Sequence, residues 1–152
     1  MFCQVAELVA LLSCGLFAGA ALYVSLVEHP ARMACGVETA ITVFGPSYRR
    51  ATALQVTLAV LGLLSSLAAW LSGATFWWLV AGLTLSSVIP FTLVVILPTN
   101  KQLLSPALDR RSAPASKLLS RWAILHAVRT LIGAWALMLF LFLLVFDHSF
   151  GK

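Results

Sequence analysis

Charged side chains are scarce in this chain of 152 residues. It has ten Lys and Arg and five Asp and Glu, together 10% of the sequence, whereas 61% of its residues are hydrophobic. A soluble domain carries about 25% charged residues, so this chain has too few charges to cover the surface of a soluble globule. Disordered chains are excluded as well, because they lack apolar mass. The composition therefore predicts an integral membrane protein whose apolar surface faces the lipid bilayer.

Cysteine is also rare, and the few cysteines form no recognisable site. Cys3, Cys14 and Cys35 make no C-x-x-C pair and no spacing typical of a zinc site, so we predict three unpaired thiols. Two histidines and a carboxylate elsewhere, His29, His126 and Glu28, are an alternative metal site, but their spacing matches no standard ligand motif. We therefore predict that the protein binds no metal.

Long apolar runs are what the chain has in abundance. Four of them, at about residues 5–27, 51–71, 75–97 and 122–146, are each long enough to cross about 30 Å of hydrocarbon. They are too long and too uniformly apolar for the strands of a membrane barrel. We therefore predict an all-α fold, a bundle of four transmembrane helices that forms a single domain over residues 1–152. The first run could instead be a signal peptide, but it lacks a basic start and contains Glu7, which favours a retained helix.

Basic residues gather in the two long segments between the predicted helices. We expect loops at residues 28–50 and 98–121, and a tight turn at 72–74. The two loops hold eight Lys and Arg residues, whereas the opposite side holds only Lys152. The positive-inside rule then predicts that the long loops are cytoplasmic and that both termini lie on the non-cytoplasmic side. The net charge of +5 is thus a topology signal, and we predict no nucleic-acid partner.

Polar residues follow the same pattern, because every predicted helix delivers some of them to the loop end of the bundle. Helix 1 is expected to stop at Pro30, since a proline disfavours helix at the residue before it. Helix 3 is expected to kink at Pro90, which lacks a backbone N–H. The candidate binding residues contributed by the first three helices are Glu28, His29, Tyr48, Gln55, Thr92 and Asn100.

Helix 4 adds the most informative polar side chains. Trp122, His126 and Arg129 are spaced i, i+4 and i+7, so they share one helix face. Ionisable residues at membrane depth normally face the bundle interior and are candidates for function. Two alternatives stay open at this point. Arg129 could extend to the membrane interface, and Glu28 could simply pair with a nearby arginine.

At these residues the chain resembles a family of small four-helix membrane proteins that includes the fungal anthrone oxygenases. The resemblance spans about residues 8–140 and rests on an ordered set of short strings. These are Glu28-His29-Pro30-Ala31-Arg32, Tyr48-Arg49-Arg50-Ala51-Thr52 with Gln55, Pro90-Phe91-Thr92, Pro98-Thr99-Asn100-Lys101, and Arg121-Trp122-x-x-Leu125-His126-x-x-Arg129-Thr130.

The resemblance implies an oxygenase that converts an anthrone-like phenolic ring to a quinone with dioxygen and no cofactor. In such a reaction His126 would be the general base and Arg129 the cation beside the forming oxyanion. The partners would be the bilayer and a flat, apolar aromatic molecule, with Trp122 and Tyr48 among the residues that contact its rings. The alternatives are a non-enzymatic membrane scaffold or partner subunit and, with less support, a small transporter. A transporter of this size is expected to carry a carboxylate in the middle of helix 1, whereas Glu7 and Glu28 lie at its two ends.

Overall fold

The computed structural model describes residues 1–150, and the side chains of residues 1–146. It is all-α, as predicted. Helix 1 (Phe2–Ala34), helix 2 (Val37–Leu71), helix 3 (Phe76–Leu103) and helix 4 (Ala113–Phe150) are long and apolar enough to cross a membrane, which confirms the predicted number of spanning helices. These four helices indicate a multi-pass membrane protein. The side on which each end lies stays a prediction, and Lys152 of the charge comparison lies outside the described residues.

Successive helices alternate in direction, so the bundle has two distinct ends. The start of helix 1 meets the end of helix 2, where the Cys3 thiol lies 3.6 Å from the Ala69 carbonyl oxygen. The last turns of helix 1 meet the first half of helix 4, where the Ser25 hydroxyl lies 3.0 Å from Nδ1 of His126. We call the half around Cys3 and Ala69 the apolar half and the half around Ser25 and His126 the polar half.

The predicted first loop, residues 28–50, is wrong for most of its length. Helix 1 continues to Ala34 and helix 2 begins at Val37, so only Cys35 and Gly36 connect them. Gly36 has a φ of 94°, a left-handed conformation that glycine adopts without a Cβ clash. Helix 2 has 35 residues, about 52 Å at 1.5 Å each, and therefore extends well beyond about 30 Å of hydrocarbon. The charges that suggested a loop lie on this extension.

The predicted second loop, residues 98–121, is likewise shorter than expected. Helix 3 continues to Leu103, and helix 4 begins at Ala113 rather than at Trp122. Pro114 occupies the first turn of helix 4, where no backbone N–H is needed. The remaining connection is tied to helix 2 by an ion pair between Arg111 Nε and Glu38 Oε2, 2.7 Å apart.

Two π-turns interrupt the α-helices of the polar half. One covers Val24–Glu28 of helix 1 and the other Thr92–Ile96 of helix 3. The first ends two residues before Pro30, and the second ends two residues before Pro98. A proline ring crowds the carbonyl four residues earlier, which here falls inside the π-turn, and the wider turn accommodates it. The expectation that Pro30 stops helix 1 is therefore wrong, because the helix passes through the π-turn instead.

Helix 3 has a second interruption near Pro90, where the kink was predicted. Its first segment ends at Ser86, four residues before Pro90, and the next begins at Val88. Because Pro90 has no backbone N–H, the Ser86 carbonyl receives no hydrogen bond from it. The side chains of Ser86 and Ser87 donate hydrogen bonds back to carbonyls of their own helix. Hydrogen bonds of this kind often bend helices.

The apolar half contains the larger core cluster. Its buried members are Ala10, Cys14, Phe17, Ala21, Leu58, Ala59, Trp78, Ala81, Leu85, Val88, Ala136, Phe140 and Leu143. Helices 2 and 3 approach closely at Gly82, where an added Cβ would lie 2.6 Å from Cβ and Oγ of Ser66. The G-x-x-x-G spacing of Gly15 and Gly19 makes no such contact, since nothing lies within 4 Å of a Cβ at Gly19.

Candidate active site

Most of the buried polar side chains of the bundle lie in the polar half. They are His29, Arg32, Gln55, Thr99, Asn100, His126, Arg129 and Thr130, and all four helices contribute to the set. Buried polar groups in an apolar surrounding cost free energy unless they are hydrogen-bonded. Helix packing alone does not explain why these polar residues are buried together at one end of the bundle.

A small cavity of about 20 Å³ lies among these side chains. Its polar lining comes from helices 1 to 4 and consists of Arg32, Ser47, Tyr48, Thr52, Gln55, Asn100, His126 and Arg129, with Trp122 beside them. Six residues singled out from the sequence thus come together: Tyr48, Gln55, Asn100, Trp122, His126 and Arg129. The space holds about one water molecule.

Two larger cavities adjoin the first. The second, about 70 Å³, is lined mainly by apolar residues of helices 2 and 3, and it shares Tyr48, Thr52, Gln55 and Arg129 with the first. Thr92 lines this second cavity. The third, about 160 Å³, lies between helices 1 and 4 and shares Trp122 and His126 with the first; His29 lines it. The structure therefore distributes the predicted binding residues over three neighbouring spaces.

Arg129 is buried in the bundle, whereas the alternative of an interfacial arginine requires a side chain that extends outward from it. Its Nη2 donates a hydrogen bond to Oε1 of Gln55, and its guanidinium carbon lies 5.4 Å from the Phe17 ring centroid. Its Nε has no partner. Among the residues that the structure describes, no carboxylate pairs with it. Within residues 1–146, Arg129 is thus a buried cation in contact with an amide and a ring rather than a carboxylate.

Glu28 compensates a different arginine. Its Oε1 lies 3.4 Å from Nη2 of Arg32, one turn further along, and accepts a 2.6 Å hydrogen bond from the Ser47 hydroxyl. This is the pairing that the sequence left open as the alternative for Glu28. The carboxylate therefore holds helix 1 against helix 2 and neutralises Arg32 beside the first cavity.

Trp122 is the centre of an aromatic cluster. The His126 ring stacks on it at 4.8 Å between centroids, the His29 ring lies at 5.3 Å, and the edge of Phe44 contacts it at 5.4 Å. The Arg32 guanidinium lies 5.5 Å from its centroid. In this structure the indole therefore orients two imidazoles, rather than presenting a free face for a ligand ring.

His126 is held by hydroxyl groups on one side of its ring. Its Nδ1 lies 3.0 Å from Ser25 Oγ and 3.4 Å from Thr130 Oγ1. Among the described residues no group hydrogen-bonds to its other nitrogen, Nε2. His126 lines the first and third cavities.

Unpartnered polar atoms are concentrated around the first cavity. Both amide atoms of Asn100 are buried without a hydrogen-bond partner, as are Nε of Arg32 and Arg129. An unpaired buried donor or acceptor costs about 1–3 kcal/mol. Asn100 lines the first cavity, so its free donor and acceptor are available to a ligand there.

The alternative metal site is not assembled. In residues 1–146, no three His, Cys, Asp or Glu side chains lie close enough together to hold an ion. The Trp122 ring contacts both imidazoles, and Glu28 is engaged by Arg32 and Ser47.

The sequence analysis did not identify several polar residues of this region as site residues, among them Ser25, Arg32, Ser47, Thr52 and Thr130. A signal for two of them was present, because Ser25 lies four residues before His29 and Thr130 four residues after His126. Helical neighbours at that spacing share a face. No comparable spacing relates Ser47 to Glu28, since they belong to different helices.

Comparison with known proteins identifies a family for this chain. The family model described as "Anthrone oxygenase" matches residues 44–139, which is more than half of the chain and includes Tyr48, Gln55, Asn100, His126 and Arg129. No curated protein and no solved structure matches the chain. The resemblance read from the sequence is confirmed: the chain belongs to the anthrone oxygenase family.

Proposed function

We propose that this small membrane protein is a cofactor-independent oxygenase that converts a flat phenolic substrate to a quinone with dioxygen. The observation that supports this most directly is that His126 and Arg129, one turn apart on helix 4, line the same buried cavity. One offers a ring nitrogen without a partner and the other a cation without a carboxylate. Membership of the anthrone oxygenase family supplies the reaction class.

The second cavity is the natural place for the substrate rings. Apart from the wall that it shares with the first cavity, its lining is apolar, formed by Phe17, Val56, Val88, Ile89, Leu93 and Leu97 with Thr92. Ring oxygens directed at the shared wall would meet Arg129, Gln55 and Tyr48. At about 70 Å³, the room of two to three waters, the cavity is smaller than a three-ring molecule, so binding requires helices 2 and 3 to separate there.

The reaction needs a base and an anion-stabilising group, and we assign these roles to His126 and Arg129. His126 Nε2 removes a proton from the activated ring carbon, and the negative charge moves to the ring oxygen as an enolate. Arg129 stabilises that oxygen, because a guanidinium in a water-poor site stabilises an anion more strongly than it would in water.

The enolate then reduces dioxygen itself. The enolate gives an electron pair to dioxygen, and a carbon–oxygen bond forms. The product is a peroxide anion on the former CH₂ carbon. The His126 imidazolium then returns its proton to the distal oxygen of that peroxide. Loss of the remaining carbon-bound proton and cleavage of the O–O bond release water and leave the carbonyl. The balance is CH₂ + O₂ → C=O + H₂O, with no further reductant.

The test is dioxygen uptake by purified protein with an anthrone substrate, compared at matched folded concentrations. We expect His126→Ala to lower turnover by about 10²–10⁴, the usual cost of losing a general base. Ser13→Ala, which removes a buried hydroxyl in the apolar half, is the matched control and should keep wild-type turnover. Retained turnover in His126→Ala would contradict the base assignment. If wild-type protein oxidises no phenolic substrate, a scaffold or partner subunit becomes the better description.

We also propose that the polar half faces the cytoplasm and that both termini lie on the other side. This rests on the eight basic residues of segments 28–50 and 98–121 against Lys152 at the other end. In a Cys3→Ser background, exposed Cys35 should resist a membrane-impermeant thiol reagent added to intact cells, while Cys14 is buried. Adding Ser72→Cys at the opposite end should restore labelling. Labelling of Cys35 alone would reverse the orientation.

A further inference from the structure

The π-turn of helix 1 brings a serine to helix 4. Ser25 belongs to the Val24–Glu28 turn, and its Oγ lies 3.0 Å from His126 Nδ1 and 2.9 Å from Thr130 Oγ1. Thr130 Oγ1 in turn lies 3.0 Å from the His126 carbonyl and 3.3 Å from the Ala21 carbonyl. Three side chains and two carbonyl oxygens thus form one connected network.

Each hydroxyl has a single proton, and this decides the direction of the hydrogen bonds. The two carbonyl oxygens can only accept, so the Thr130 hydroxyl proton points to them. Ser25 therefore donates its hydroxyl proton to Thr130 Oγ1. Toward His126, Ser25 Oγ can then only accept a hydrogen bond. The proton between Ser25 and His126 must then belong to Nδ1.

The opposite direction fits the distances less well. Thr130 would donate to Ser25, and Ser25 would donate to Nδ1 of His126. The two contacts from Thr130 Oγ1 to carbonyl oxygens, at 3.0 Å and 3.3 Å, would then have no proton between the atoms and would be repulsive. In the first direction the single Thr130 proton is shared between the two carbonyl oxygens, and each of the two contacts of Ser25 has a proton of its own.

From this network we infer that Ser25 is a positioning residue that holds neutral His126 in the Nδ1–H tautomer. Nε2 then carries the lone pair, and Nε2 is the nitrogen that no described group occupies. The inference rests on the proposed function, because it states which nitrogen acts as the base. It also gives the π-turn of helix 1 a role, since that turn is what places Ser25 beside helix 4.

The same contact supports the charged form during turnover. When Nε2 accepts the substrate proton, Nδ1–H keeps its acceptor at Ser25, so the imidazolium loses no hydrogen bond. The other tautomer has its proton on Nε2 and its lone pair directed at Ser25, and it cannot remove a proton from a molecule in the cavity.

The first experiment reads the tautomer without reference to activity. Full-length protein is labelled with ¹⁵N-histidine, and the ring nitrogen shifts of neutral His126 are assigned by their loss in His126→Gln. We expect a protonated Nδ1 and an unprotonated Nε2 in the wild type, and a mixture or the reverse in Ser25→Ala. A wild-type spectrum with the proton on Nε2 would overturn the inference, even if the protein proves to be an active oxygenase.

The second experiment measures kinetics on folded variants. Ser25→Ala should lower kcat about 5- to 10-fold, the factor that one neutral hydrogen bond is worth, with little change in KM because Ser25 does not line the first or second cavity. Ser25→Thr keeps the hydroxyl and should recover most of kcat. Ser120→Ala removes an exposed hydroxyl that bonds its own helix and is the matched control. Equal kcat for Ser25→Ala and Ser120→Ala would refute the positioning role.

If the wild type lacks turnover, the proposed function fails, while the tautomer measurement still decides this inference.

Discussion

The two halves of the bundle use the same four helices but bury different chemistry. In the apolar half, Trp78 packs against Phe140 with ring centroids 5.6 Å apart, and small residues such as Ala59 and Ala81 let the helices approach. In the polar half the same helices bury two imidazoles and two guanidinium groups. Membrane helices associate through close packing of small residues, and the apolar half supplies packing of this kind.

Backbone regularity differs between the halves in the same way. Both π-turns, Val24–Glu28 and Thr92–Ile96, lie in the polar half, beyond the regular α-helix that precedes them. A π-turn changes which side chains face the bundle, and such turns are frequent at functional sites. Here one of them directs Ser25 at His126. The departure from ideal helix is therefore linked to the position of a specific side chain.

Charge compensation separates the two buried arginines. Arg32 has Glu28 as a counterion, whereas the partners of Arg129 within residues 1–146 are the amide oxygen of Gln55 and the face of Phe17. An uncompensated buried charge is costly, and packing in the apolar half gives no reason for it. We infer that Arg129 lowers the stability of the protein, and in the proposed reaction this cost is offset by its interaction with an anion.

Replacing Arg129 is the strongest way to test this contrast. Arg129→Met should lower turnover by about 10²–10³, the usual cost of removing an oxyanion-stabilising donor. Combining it with Gln55→Leu removes the buried charge and its partner together, so the double variant should unfold in detergent at a temperature equal to or above that of the wild type. Gln55→Leu alone leaves the cation without its acceptor and should lower that temperature. A double variant less stable than both single variants would contradict the interpretation.

The spans themselves were predictable, because length and apolarity are sufficient to identify a membrane helix. Their ends were not. Residues 37–50 carry Glu38, Pro46, Arg49 and Arg50, which is typical of a loop, yet they form the first turns of helix 2. Beyond the hydrocarbon a helix can expose charges to water, so the charged residues do not mark a helix end there. Pro46 lies on the exposed surface and does not mark a helix end either.

The candidate site was partly predictable for a similar reason. Spacing along helix 4 placed Trp122, His126 and Arg129 on one face, and the structure brings all three to one cavity. Sequence spacing could not reveal that Glu28 bonds Ser47 or that Ser25 bonds His126, because such pairs depend on how two helices are rotated against each other. The π-turn that contains Ser25 was not predicted either, because only Pro30 after it was visible in the sequence.

The smaller effect is expected in the apolar half, where a change should alter stability without altering the chemistry. Gly82→Ala places a Cβ 2.6 Å from Cβ and Oγ of Ser66 and 3.4 Å from the Leu63 Cα, so helices 2 and 3 must move apart. Overpacking of this kind costs about 1–3 kcal/mol, which thermal unfolding in detergent should detect, while kcat per folded molecule stays at the wild-type value. Gly19→Ala is the matched control. Nothing lies within 4 Å of its added Cβ, and alanine is the better helix former, so this variant should be as stable as the wild type or more stable. Equal destabilisation of both variants would show that glycine as such, rather than the approach of helices 2 and 3, matters in this half. A loss of kcat in Gly82→Ala at matched folded protein would show that the two halves are not separable.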